Sequence, residues 1–89
     1  MVDLHLLNRF SFGPSYGQPE LDDDWSRRVY AYKGATLFLD RRNESRYYEA
    51  FAVYPYPSLV WFVGEFHSFD FEEAEQKLQC LMDQHPERN

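Results

Sequence analysis

The chain is poor in the residues from which catalytic and metal sites are usually built. A single cysteine, Cys80, stands among 89 residues, which excludes an internal disulfide and fits a reducing compartment. The three histidines, His5, His67 and His85, are scattered. With no Cys-x-x-Cys and no paired His spacing, the sequence gives no reason to expect zinc or any other cofactor. Glycines at 13, 17, 34 and 64 never cluster, so there is no loop to cradle a phosphate. Glu65 and Asp70 flank His67, yet no nucleophile or oxyanion loop accompanies them, and they read as turn and cap residues. No run reaches the ~20 apolar residues of a membrane span, and the N-terminus lacks the pattern of a signal peptide. These absences lead to the expectation of a soluble, cytoplasmic, non-enzymatic protein without a cofactor.

Two things are plentiful: aromatic rings and acid. Eight Phe, seven Tyr and two Trp make 19% of the chain, more than a core of this size hides, so several rings should reach the surface and mark a contact. Net charge is −6, and it is unevenly laid out. Residues 1–26 carry one base against five acids, residues 27–46 six bases against two acids, and residues 47–89 two bases against eight acids. Overall acidity works against nonspecific binding to nucleic acid or anionic membranes, while the basic middle block keeps a local phosphate contact open.

The pattern predicts one α+β domain: an antiparallel meander of four strands, or five, with one C-terminal amphipathic helix packed on one face. Residues 1–26 form an acidic, loop-rich leading segment in which Met1 to Phe12 offers a fifth short strand. Residues 27–66 make the sheet. Its first hairpin turns at Lys33-Gly34, which sets Arg28, Tyr30 and Tyr32 on one face with Ala35, Leu37 and Leu39, and places Arg27 opposite Asp40. Arg41 to Arg46 is the second connection, and Pro55-Tyr56-Pro57-Ser58 the third. Tyr47, Phe51, Val53, Val60, Phe62 and Phe66 then share a face, expected to be the bed of the helix. Tyr48, Ala50, Ala52, Tyr54, Leu59, Trp61 and Val63 share the other, where alanines between large rings leave shallow concavities.

The helix is expected over 70–85. Asp70 supplies the N-cap and Glu73 the capping box, Phe69 is placed to staple onto Ala74, and early acids suit the helix dipole. Phe71, Ala74, Leu78, Leu81 and Met82 form the buried stripe, and Pro86 stops the helix. Cys80, beside that stripe, reads as a small buried hydrophobe.

Two residue sets carry the functional expectation. The first is a partner-binding surface: acidic Asp22, Asp23, Asp24, Glu72, Glu73 and Glu75 facing a basic protein, with Trp25, Tyr54, Tyr56 and Trp61 as apolar anchors. The second is a nucleic-acid platform of Arg28, Tyr30, Arg41, Arg42 and Arg46, because rings beside arginines on a sheet stack on bases and contact phosphates. Its bland counterpart is that these arginines pair with the chain's own acids.

The string from Gly64 to Glu75, Gly-Glu-Phe-His-Ser-Phe-Asp-Phe-Glu-Glu-Ala-Glu, resembles the last strand and helix start of the sheet-plus-helix DNA-binding domains of AP2 factors and tyrosine-integrase arm-binding domains. That resemblance implies a sheet that reads the major groove with basic and aromatic residues. The acidic net charge and leading segment depart from the family. In overall type the chain resembles small acidic phage-encoded inhibitors, such as anti-CRISPR and anti-restriction proteins, and bacterial immunity proteins. This likeness implies an inhibitor that covers the basic, nucleic-acid-handling surface of a protein partner. A homodimeric structural subunit is the remaining alternative.

Overall fold

Lys33 and Gly34 both adopt positive φ, 48° and 82°, the backbone of a two-residue type I′ turn whose twist matches the strands it joins. The turn fixes the register of everything around it. The computed structural model describes residues 4–8, 24–55 and 58–84. Five strands, β1 (His5–Asn8), β2 (Trp25–Tyr32), β3 (Ala35–Arg42), β4 (Tyr47–Pro55) and β5 (Ser58–His67), precede one helix, α1 (Phe71–Gln84). All neighbours are antiparallel and lie in chain order, so the sheet is a five-stranded meander with β1 and β5 at its edges. The α+β meander read from the sequence is present, with the optional fifth strand at the N-terminal edge.

Register follows the turns. Tyr32 pairs with Ala35 and Arg27 with Asp40 across the first hairpin, and Val53 pairs with Val60 across the third. Between Ala50 and Phe51 the β4–β5 ladder slips: Phe51 faces Phe62, but Ala50 faces Gly64, leaving Val63 as an extra residue. Such a bulge changes which side of the sheet the rest of the strand presents. Phe66 therefore joins Tyr48, its ring stacked at 5.9 Å, and leaves the company of Phe62.

The helix covers the face opposite to the expected one. Buried Tyr30, Tyr32, Leu37, Leu39, Tyr48, Ala50 and Ala52 pack with Ala74 and Leu78 of α1, and Tyr54, Trp61, Val63 and Phe66 close around them. Phe51, Val53, Val60 and Phe62 point the other way. Close approach explains the choice: the alanines read as concavities are the bed, and a Cβ on Gly64 would sit 3.4 Å from Leu81 Cδ1. Large rings at those positions would hold the helix off.

Two smaller expectations also fail. Phe69 does not staple the helix; it stays 65% exposed beneath the Arg46 guanidinium, 5.2 Å from its ring. Cys80 is exposed, because the inward stripe narrows to Ala74 and Leu78. The cap is as read: Asp70 Oδ1 accepts from the Glu73 N–H at 2.9 Å, and Glu73 Oε1 accepts from the Phe69 N–H at 3.0 Å.

Candidate functional site

The face of the sheet without the helix carries a row of four charged residues in mutual register, one per strand: Arg27, Asp40, Glu49 and Glu65 on β2 to β5. The first two form a buried bidentate pair, Arg27 Nε to Asp40 Oδ1 at 2.6 Å and Nη2 to Oδ2 at 2.8 Å. Burial lifts the Asp40 carboxyl above its ordinary range, Arg27 opposes that shift, and Glu49 adds to it. The outer two carboxylates stand directly opposite one another. Both accept from the Tyr47 hydroxyl, at 2.8 Å for Glu49 and more closely for Glu65. One hydroxyl has one proton, so the two acids share it. Holding it between them pushes the Tyr47 phenol well above its usual value, with Glu65 the larger cause. Among the described residues no cation pairs with Glu49 or Glu65.

Beside this acidic end lies an apolar patch. Phe51 and Phe62 meet edge to face at 5.4 Å, and Phe62 is 47% and Val60 43% exposed. At the other end of β4, Tyr47 touches Trp25 at 5.9 Å and His67 at 5.6 Å, both edge to face. The surface is thus a run of rings with two under-compensated carboxylates among them. Alternation alone could have located it, had the helix been assigned to the alanine face.

The expected partner-binding residues do not gather at one place. Asp22, Asp23 and Tyr56 lie outside the described residues. Asp24 is exposed at the start of β2, and Trp25, half-buried, follows it on the face without the helix. Tyr54 and Trp61 pack at the margin of the helix-side core. Glu72 and Glu73 are exposed on the first turn of α1, whereas Glu75 turns inward and accepts from Arg28 at 3.2 Å and from the Tyr30 hydroxyl at 2.5 Å.

The arginine set divides likewise. Arg28 is held between Glu75 and the face of Phe71, 4.3 Å from the ring centroid. Tyr30 is buried beneath the helix, its hydroxyl tied to Glu75; burial first, then that carboxylate, lifts its titration far above normal. Arg41 donates from Nε to the Ser45 carbonyl at 2.8 Å. Arg42 and Arg46 are exposed at the β3–β4 turn, over the rings of Trp25 and Phe69 respectively. Two of the five are therefore committed to the sheet–helix interface, and three remain together at one turn.

Among the described residues no cluster of three His, Cys, Asp or Glu side chains is arranged to hold a metal ion, and no helix is long and apolar enough to cross a membrane. Searches of protein families, curated proteins and solved structures find no match to this chain.

Proposed function

We propose that the chain is a non-enzymatic protein-binding module, an acidic inhibitor of the kind that occludes the basic surface of a nucleic-acid-handling partner. The observation that carries this reading is the ring pair of half-buried Phe51 and exposed Phe62 standing beside Glu49 and Glu65, which face each other and have no cation of their own among the described residues. Like charges placed opposite one another weaken a sheet, and a basic partner would relieve that. Rings would then form the dry centre of the interface and carboxylates its steering rim. Charge of −6 acts in the same sense at long range, and the single free thiol suits a reducing cytoplasm.

The test is recovery of a partner on the tagged chain from lysate of its host, with and without nuclease, washed at low and high salt. A stoichiometric protein that survives nuclease, and is lost with Glu49→Gln plus Glu65→Gln, is the expected result. Recovery of nucleic acid alone would overturn it.

A second reading, direct nucleic-acid binding, draws on Arg41, Arg42 and Arg46 converging on the β3–β4 turn. It requires an oligonucleotide to be shifted at low ionic strength, and that shift to vanish with Arg41→Ala plus Arg42→Ala.

A further inference from the structure

Helix α1 runs back along β5 and is tied to it at two places. The Lys77 ammonium donates to the His67 carbonyl at 2.5 Å. One turn further on, Leu81 closes on the strand, where a Cβ on Gly64 would stand 3.4 Å from its Cδ1. An open cleft of about 490 Å³ lies between helix and strand, bordered by Lys77 and Leu81. That size falls within the roughly 300–1,000 Å³ of small-molecule sites. Phe66, Cys80 and Leu81 give the cleft its apolar wall. The Phe66 ring stacks on buried Tyr48 at 5.9 Å, so this part of the wall is fixed before any ligand arrives. Of the three charges on the border, two are spent on each other and on the backbone. Lys77 lies 3.5 Å from Glu73, and Glu73 also accepts from the Phe69 N–H. The third, Glu65, accepts from the Tyr47 hydroxyl and has no cation among the described residues.

We infer that the cleft between α1 and β5 is a binding site for a small hydrophobic amine, an apolar body of one or two rings with a protonated nitrogen at one end. The body lies against Phe66, Cys80 and Leu81, where its burial supplies most of the affinity. The ammonium reaches the Glu65 carboxylate, and that charge-assisted contact fixes which way round the ligand sits. An anionic ligand finds no such partner, because it meets Glu65 and the Lys77 protons are already committed. The site goes beyond the inhibitor reading and does not require it. The two share Glu65, which faces Glu49 across the strands and also lines the cleft. Cys80 belongs to the cleft alone, so the tests act there.

Naphthylethylamine, naphthylacetate and naphthylethanol present one bicyclic body with positive, negative and no charge, and calorimetric titration of the full chain compares them. The amine should bind about tenfold more tightly than the acetate, with the alcohol between them. Added salt should narrow the gap. Saturating amine should slow alkylation by iodoacetamide of Cys80, the single and exposed thiol of the chain, a readout that needs no variant. Cys80→Trp fills the cleft and should abolish amine binding without lowering the melting temperature, since the position is exposed. Phe62→Ser, on the face without the helix, should leave amine affinity unchanged while weakening the proposed protein partner. Loss of one with survival of the other therefore shows which reading has failed. Equal affinity for the three probes, or tighter binding of the acetate, would overturn the inference. So would an alkylation rate that the amine does not change, amine binding undiminished in Cys80→Trp, or no binding of any probe.

Discussion

Arg27 and Asp40 meet across β2 and β3 with side chains 0% and 4% exposed, and the Arg27 guanidinium rests 4.7 Å above the Phe38 ring. Removing the charge of one member strands the other. Asp40→Asn is expected to cost about 3–5 kcal/mol, whereas Arg27→Met combined with Asp40→Leu should cost far less, because no buried charge then remains. Urea midpoints of wild type, single and double variants check both. A single variant as stable as wild type would mean that the pair is not desolvated in solution.

Glu49 and Glu65 lead to a trade between stability and binding. Neutralising both with Gln removes a cross-strand repulsion, so stability should rise by on the order of 0.5 kcal/mol, and the melting temperature with it. Partner affinity should fall at the same time. Calorimetry on the free chain and titration with the recovered partner are read together, and movement of both in one direction would contradict the proposed surface.

Gly64 sets the height of the helix above the sheet. Gly64→Val puts atoms where Leu81 Cδ1 lies and should destabilise by about 1–3 kcal/mol through overpacking. Val60, 43% exposed on the face without the helix, meets no such neighbour: Val60→Thr should change stability by less than about 1 kcal/mol. Chemical denaturation of the two variants separates a helix-bed role for β5 from a general demand for apolar strand residues.

Acid sensitivity should depend in part on Glu73. Its carboxylate accepts from the Phe69 N–H, which holds its titration below the ordinary 4.5. A carboxyl lowered by folding contributes stability that is present above 4.5 and lost as pH falls through the lowered value. Asp40, raised by burial, acts in the opposite sense: its ionisation costs stability as pH rises past 3.8. The gap in urea midpoint between wild type and Glu73→Gln should therefore be open at neutral pH and close below 4.5. A constant gap would assign the effect to packing.

Local chemistry made much of this fold legible. Lys33-Gly34 announces its turn, the turn fixes the pairing of Arg27 with Asp40, and Asp70 and Glu73 mark where α1 starts. Which face the helix covers was harder to read, because Phe51, Val53, Val60 and Phe62 are as apolar as the residues behind them. The useful signal was size rather than hydropathy: Ala50, Ala52, Gly64 and Ala74 are small because two backbones approach there. The candidate surface inherited that ambiguity. Tyr54 and Trp61 look like exposed anchors until the helix is set above them, and Phe62 looks like core for the same reason.

The slip at Val63 bears on how this strand tolerates changes in length. Further along β5, losing one residue turns inside out whatever lies between the gap and the slip, sending Glu65 toward the helix or Trp61 away from it. Losing Val63 instead restores plain alternation, with Phe62 outward, Gly64 inward, Glu65 outward and Phe66 inward, as they already stand. A scan of single-codon deletions through β5 should therefore find its survivors at Val63 and the adjoining Phe62, where the extra residue absorbs the loss, and failures further along the strand on either side.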